Sequence, residues 1–298
     1  MLKSYATLLV TALLATGSYA DVNVVTTIKP LQLIAQAVIK EHGSVSSIVD
    51  PQQSPHHFSL SPSDRIALAR ADLAVWIGPE FETHLQDFFL QPALRAKTLT
   101  AIDIDGLQLH YISEGQLDAH LWLDSSNALK IAAQITEQVS ALDPSNAISY
   151  RQNLENFETE IAQGNQQIAR KFEAATTVRY AVYHNAYQYF EQQFSLQHDL
   201  VILRDPETQP GIREIVQLRE RINQRQPSCL LLEIDSSEEL IATVLSGHEL
   251  KSIVVDLLGT NVSNDLSTNL STEATSIESG YSKFIANIAD DFYECLYE

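Results

Sequence analysis

The sequence is poor in positive charge and in long apolar runs. Only 19 of its 298 residues are Lys or Arg, against 38 Asp and Glu, which gives a formal net charge of −19. Without a basic stripe, nucleic acids and anionic membrane surfaces are poor partners, and the negative field instead concentrates cations near the surface. After the first twenty residues no apolar run reaches the roughly 20 residues that a membrane-spanning helix needs. We therefore expect a soluble mature chain.

Two motifs of enzyme chemistry are also absent. The sequence contains no GxxxxGK[ST] phosphate loop and no serine nucleophile elbow. The chain is therefore not expected to hydrolyse ATP itself or to act as a serine hydrolase. It also lacks an internal repeat of fixed period.

Cysteine is scarce, since Cys229 and Cys295 are the only two. In an oxidising compartment an even pair favours a disulfide, and closing a loop of about 65 residues would stabilise the fold by about 4 kcal/mol. The alternative is a pair of thiolate metal ligands, which usually lie much closer together in sequence.

The first twenty residues have the pattern of a secretory signal peptide. Lys3 precedes an apolar run, and Ser18-Tyr19-Ala20 forms a small-x-small cleavage site. We expect export, with cleavage after Ala20. No cysteine lies near that site, which favours a freely diffusing protein in a periplasm over a lipid-anchored one.

Strands and helices alternate in two stretches of the mature chain. Residues 21–124 and 176–298 each have this pattern, which is typical of an α/β architecture with a mainly parallel sheet. Between them, residues 125–175 are predicted to be helical with one interruption at Asp143-Pro144. The second helix, from about Pro144 to Phe172, would join the two α/β domains as a rigid spacer.

Three of the nine histidines lie where a strand or extended segment gives way to a loop, namely His56, His120 and His184. Asp256 ends a further predicted strand. If the strand ends of both domains open on one cleft, these four residues can converge there and suit a borderline-soft divalent ion, with zinc first. Their spacing forms no local motif, and a single histidine is more often a surface or hydrogen-bonded loop residue.

Several collinear segments resemble a known family over essentially the whole mature chain. The segments, in order, are SPHHFSLSPSD (54–64), ADLAVWIGPEFE (71–82), DAHLWLDSSNA (118–128), VYHNAYQYFEQQF (182–194), PETQPGIREI (206–215), CLLLEID (229–235) and VVDLLGT (254–260). They are similar to segments of the cluster A-I solute-binding proteins, and most closely to the periplasmic zinc-binding components of zinc ABC transporters.

The resemblance implies a ligand set. The family's first ligand stands two residues before an aromatic residue, so Phe58 indicates His56 and leaves His57 at the variable position. His120 and His184 match the second and third ligands, and a histidine rather than a glutamate at the third place favours zinc over manganese. The acidic fourth position matches Asp256, with water as the alternative.

Two further comparisons with the family concern segments outside this ligand set. The His- and acid-rich loop that many zinc members carry is missing, since His110 is the only histidine among residues 85–119. Cys229 and Cys295 match a cysteine pair found in some zinc members, which supports the disulfide.

The function that the resemblance implies is capture of Zn²⁺ and its delivery to an inner-membrane ABC permease with a separate ATPase. A zinc chaperone is a further candidate partner, and a monomer is expected. The alternatives are a manganese, iron or broad-specificity receptor, and a role in adhesion or storage. A zinc-dependent hydrolase would need Glu233 or Asp235 as general base, but nothing in the sequence couples either residue to a ligand.

Overall fold

The structure is a computed structural model that describes residues 21–50, 58–173, 179–203, 210–262 and 279–297. The predicted signal peptide, His56 and His57 lie outside these residues. Within the described ranges, no helix is long and apolar enough to cross a membrane.

Strands and helices alternate along most of the described chain. The strands are β1 Val22–Thr26, β2 Gly43–Ser47, β3 Leu73–Trp76, β4 Thr98–Thr100, β5 Tyr111–Ser113, β6 Gln116–Leu117, β7 Tyr180–His184, β8 Leu200–Leu203, β9 Cys229–Glu233 and β10 Lys251–Val255. The α-helices are α1 Lys29–Ile39, α2 Pro62–Arg70, α3 Gln86–Phe89, α4 Pro92–Arg95, α5 Ser125–Leu142, α6 Ala147–Lys171, α7 Gln188–Gln193, α8 Ile212–Arg225, α9 Glu238–Val244 and α10 Gly280–Tyr297.

The strands form two four-stranded parallel sheets and one short hairpin. The first sheet has the order β2-β1-β3-β4, the second has the order β10-β9-β7-β8, and β5 pairs with β6 in an antiparallel hairpin. Parallel strands need a crossover for each connection, and helices supply it here. The predicted α/β class with mainly parallel sheets is therefore confirmed.

Alternate residues of the central strands point to opposite faces of their sheets. Val24 of β1 and Leu231 of β9 belong to one continuous apolar core, which also takes buried side chains from α1, α5, α6 and α10. Their neighbours Val25 and Leu230 lie in two smaller apolar clusters on the other faces. One core thus connects the first sheet to the second.

Helix α6 has 25 residues and is about 37 Å long at 1.5 Å per residue. It packs against α1, α5 and α10. The prediction that it begins at Pro144 is wrong, because Asp143 closes a turn ahead of it. The Asp143 carboxylate accepts hydrogen bonds from the Asn146 side chain (2.7 Å) and the Tyr150 hydroxyl (2.9 Å), and the helix begins at Ala147.

The predicted disulfide is present. Cys229, the first residue of β9, is bonded to Cys295 near the end of α10, with 5.5 Å between the two Cα atoms. The bond attaches α10 to the second sheet.

Helix α2 begins with a capping box. Ser61 caps the helix, since its hydroxyl accepts a hydrogen bond from the Asp64 backbone N–H and its own N–H donates to the Asp64 carboxylate. This capping box leaves Pro62 at the first helical position, where a missing N–H costs nothing.

Candidate metal centre

His184 is the last residue of β7, and strand pairing places a carboxylate beside it. In the register of β7 with β9, Val182 lies opposite Leu231. Two residues further along each strand come His184 and Glu233, on the same side of the sheet. The Nδ1 atom of His184 hydrogen-bonds to Glu233 Oε2, and the Tyr187 hydroxyl donates to Glu233 Oε1 at 3.1 Å. The carboxylate therefore orients the imidazole so that Nε2 is presented for another contact.

The surroundings of His184 affect its charge. Burial, the largest single effect, lowers the pKa of its imidazole, but the attraction and hydrogen bond of Glu233 together with the charges of Asp235 and Asp118 give a net raised pKa. The raised pKa keeps a larger fraction of the His184 imidazoles protonated than at an ordinary histidine. A metal ion that binds Nε2 of His184 must therefore displace a proton in a larger fraction of molecules.

His120 lies in an irregular segment just before a 3-10 turn at Leu121–Leu123. Its Nδ1 atom is 2.8 Å from Asp118 Oδ1, which also accepts the His120 backbone N–H at 3.1 Å. The imidazole packs against the rings of Phe81 and Trp122, with ring centroids 5.8 and 5.2 Å away. A carboxylate and two aromatic rings thus fix the orientation of His120.

The two imidazoles meet through their remaining nitrogens. Nε2 of His120 is 3.4 Å from Nε2 of His184, and each residue is only 7% exposed. Two nitrogens bound to one tetrahedral Zn²⁺ at 2.0–2.1 Å would be about 3.3–3.4 Å apart. In addition, carboxylates at both Nδ1 atoms are the usual support for histidine ligands of zinc.

Hydrogen bonds from other elements hold the irregular segment around His120. The Tyr189 hydroxyl of α7 donates to the Asp118 carbonyl at 2.6 Å. The Trp122 indole donates to the Leu257 carbonyl at 3.1 Å, and the Tyr281 hydroxyl donates to the Trp122 carbonyl at 2.7 Å. Residues from the second half of the chain therefore position the backbone that bears His120.

Asp256 follows β10, and its carboxylate organises the next turn. Oδ1 accepts the Leu258 N–H at 3.2 Å, while Oδ2 accepts the Thr260 hydroxyl at 2.5 Å and the Asn261 N–H at 3.1 Å. Its role as the fourth ligand stays a prediction.

Of the four predicted ligands, the structure brings His120 and His184 together. Within the described part of the chain, no group of three His, Cys, Asp or Glu side chains could hold a metal ion. His56, the first predicted ligand, lies outside that part, and its role also stays a prediction.

Sequence reasoning missed both carboxylates that support the histidines. Asp118 stands two residues before His120, a spacing that allows a side chain to reach back to its neighbour. Glu233 was considered only as a general base, although the register of two adjacent strands places it beside His184.

The fold and the histidine pair define a two-sheet α/β protein with a candidate transition-metal centre. The family model described as ZnuA, zinc-uptake complex component A, periplasmic, matches residues 24–295, and the chain belongs to this family.

One curated relative is similar in sequence, and two solved structures share the fold. The high-affinity zinc uptake system protein ZnuA of Brucella abortus (strain 2308) is 26% identical over 318 residues, covering 92% of this chain and 91% of the relative. A crystal structure of ZnuA superimposes with a TM-score of 0.76 at 19% identity, covering 92% of this chain and 98% of the other. A zinc-bound deletion mutant of ZnuA gives a TM-score of 0.74 at 19% identity, with coverages of 93% and 98%.

Proposed function

We propose that this chain is the periplasmic receptor of a zinc uptake ABC transporter, which captures Zn²⁺ and delivers it to a membrane permease. The observation that carries the proposal is the pair of buried Nε2 atoms 3.4 Å apart, each on an imidazole whose other nitrogen meets a carboxylate. Membership of a family described by zinc uptake supports the same ion.

The proposed ligand set extends beyond the two histidines. His120 and His184 supply two nitrogens, His56 supplies the third, and Asp256 or water completes a tetrahedral shell. Three imidazoles favour zinc over manganese, because manganese prefers carboxylate and other oxygen ligands.

The sequence supports the proposed domain organisation and the proposed periplasmic location. Residues 1–20 direct export and are removed after Ala20, which releases a monomer into the periplasm. Residues 21–124 and 176–298 form two α/β domains, joined by the helical segment 125–175, with zinc in the cleft between them. The permease and its separate ATPase are the expected partners, and a zinc chaperone is a further candidate.

The hydrolase alternative receives no support from the surroundings of Glu233. A general base must be within reach of a metal-bound water and able to accept its proton. Both carboxylate oxygens of Glu233 are engaged, one by His184 and one by Tyr187. Receptor function needs no such base, which agrees with the transport role that the family description names.

Calorimetric zinc titration of metal-free mature protein tests the proposal, with His56→Ala, His57→Ala and His184→Ala as variants. We expect one tight site that is lost in the His56 and His184 variants and kept in the His57 variant. His57→Ala is the matched control, because it removes an imidazole from the same segment. Equal affinity of the wild type for zinc and manganese would contradict the zinc assignment, and loss of binding in His57→Ala alone would show that the ligand is His57.

A further inference from the structure

Glu82 is a buried acid that the proposed zinc site does not use. Its side chain is 0% exposed and joins the ends of two central strands of the first sheet. Oε1 accepts the Thr27 hydroxyl at 2.5 Å and the Ile77 N–H at 3.4 Å, while Oε2 accepts the Gly78 N–H at 3.0 Å. Burial of a carboxyl group costs free energy, and these hydrogen bonds offset part of that cost.

These hydrogen bonds close a tight turn at residues 78–82. The Gly78 carbonyl accepts the backbone N–H groups of both Phe81 (3.1 Å) and Glu82 (2.9 Å). Gly78 has a φ of +145°, and a Cβ atom there would lie 2.5 Å from Ile102, so only glycine fits. The Glu82 carboxylate then folds back onto the N–H of Gly78 and locks the turn.

The turn holds an aromatic ring against the metal centre. Phe81 is 5% exposed, and its ring meets those of Trp122 and His120 edge to face, with centroid separations of 5.0 and 5.8 Å. The edge-to-face geometry depends on where the turn places the Phe81 backbone. A shift of the turn therefore moves the surface against which the His120 imidazole packs.

We propose that Glu82 is a positioning residue that, through Phe81, sets the orientation of His120. Among the described residues, the side-chain hydrogen bonds of Glu82 go to Thr27, Ile77 and Gly78, none of which is a proposed ligand. The inference deepens the proposed zinc function and rests on it for the effect on zinc affinity, but the orientation of His120 is measurable without metal.

The experiment uses mature protein with Glu82→Gln, which keeps the size of the side chain and removes the carboxylate. Two quantities are measured: the imidazole nitrogen resonances of His120 in metal-free protein, by long-range ¹H–¹⁵N NMR with His120→Gln for assignment, and zinc affinity by competition with a chelator. We expect the His120 resonances to shift and zinc affinity to fall about tenfold, the lower end of the effects seen when outer partners of metal ligands are removed.

Glu191→Gln is the matched control. Glu191 is also a buried acid, 3% exposed, and it accepts the Tyr180 hydroxyl at 2.5 Å and meets His198 Nδ1 at 2.9 Å. Its loss should lower the melting temperature without moving the His120 resonances and with less than a twofold change in zinc affinity. The same zinc loss in both variants would indicate general destabilisation and overturn the positioning role.

A double-mutant cycle tests the route through Phe81. In a Phe81→Leu background, the Glu82→Gln change should alter zinc affinity by less than about twofold, because the ring that transmits the effect is gone. Full additivity of the two changes would overturn the route through Phe81.

If Glu82→Gln does not fold, Thr27→Val decides the question, since it removes the 2.5 Å hydrogen bond and keeps the carboxylate. Unchanged His120 resonances in the folded variant would overturn the proposal. A wild type that binds no zinc would contradict the proposed function instead, and the His120 resonances would still decide the role of Glu82.

Discussion

His184 and His120 face each other with the same nitrogen, but the structure holds them by different means. His184 ends a central strand, and its carboxylate partner Glu233 comes from the neighbouring strand. His120 lies outside any sheet, beside a carboxylate only two residues away and against two aromatic rings. Strand pairing determines the position of one histidine, and side-chain packing determines that of the other.

This difference indicates which changes in the protein would displace His184 and which would displace His120. The position of His184 depends on the register of β7 and β9, which many backbone hydrogen bonds maintain together. His120 depends on a few specific contacts, among them Phe81 on a turn that a single buried acid closes. We therefore expect the His120 half to respond to solution conditions and to distant substitutions more than the His184 half.

The largest expected effect concerns the pH dependence of stability on the His120 side. Burial raises the pKa of Glu82 to about 7, against the hydrogen bonds from Thr27, Gly78 and Ile77, which lower it. Between pH 4.5 and 7 the folded protein keeps a proton that the unfolded chain has lost, so this group makes the fold less stable as pH rises.

Urea denaturation of the wild type and Glu82→Gln at pH 4 and pH 8 measures this effect. The free energy of unfolding of the wild type relative to the variant should fall by about 3 kcal/mol over this range, since one pKa unit is equivalent to 1.36 kcal/mol. A difference between the two proteins that does not vary with pH would show that the carboxyl titrates normally.

The second largest expected effect concerns the two carboxylates, Glu233 and Asp118, that hydrogen-bond to the histidines. Glu233→Ala should weaken zinc binding about 100-fold, because it removes the acceptor of His184 and leaves the buried Tyr187 hydroxyl without that acceptor. Asp118→Ala should weaken it only about tenfold, because the Phe81 and Trp122 rings still pack against His120. Chelator competition at one pH measures both, and a larger loss in Asp118→Ala would reverse the comparison.

The smallest expected effect concerns a hydrogen bond that holds the backbone near His120, as opposed to the contacts of the His120 imidazole. Tyr189→Phe removes the 2.6 Å hydrogen bond to the Asp118 carbonyl and should lower the free energy of unfolding by about 1 kcal/mol. Zinc affinity should change less than about threefold, because the contacts of the imidazole itself remain. A tenfold loss of affinity in a stable variant would mean that the backbone link, rather than ring packing, orients His120.

The long elements were predictable because their apolar pattern repeats over many residues. The helical segment predicted at residues 125–175, with its interruption at Asp143-Pro144, corresponds to α5 and α6. β4 and the β5–β6 hairpin were missed, since strands of two or three residues are too short to show alternation. Their existence depends on pairing with other segments, which a local pattern does not report.

The candidate metal site was also predictable only in part, because some of its contacts depend on pairing between distant segments. The meeting of His120 and His184 was expected from the family resemblance and from their places at the ends of extended segments. Glu233 was not linked to His184, because that contact depends on strand register. The burial of Glu82 was equally hidden, since a glutamate read from sequence alone is expected at the surface.

The distance of 3.4 Å between the two Nε2 atoms also bears on the size of the cation that both nitrogens could bind. A cation that prefers bonds of 2.3–2.6 Å, such as Ca²⁺, would need the two nitrogens about 4 Å apart at the same angle. Because carboxylates, strand pairing and aromatic packing hold both rings in place, spreading them would disturb contacts on both sides. We therefore expect the spacing to disfavour large cations and the chemical preference of imidazole to act on the smaller ions that remain.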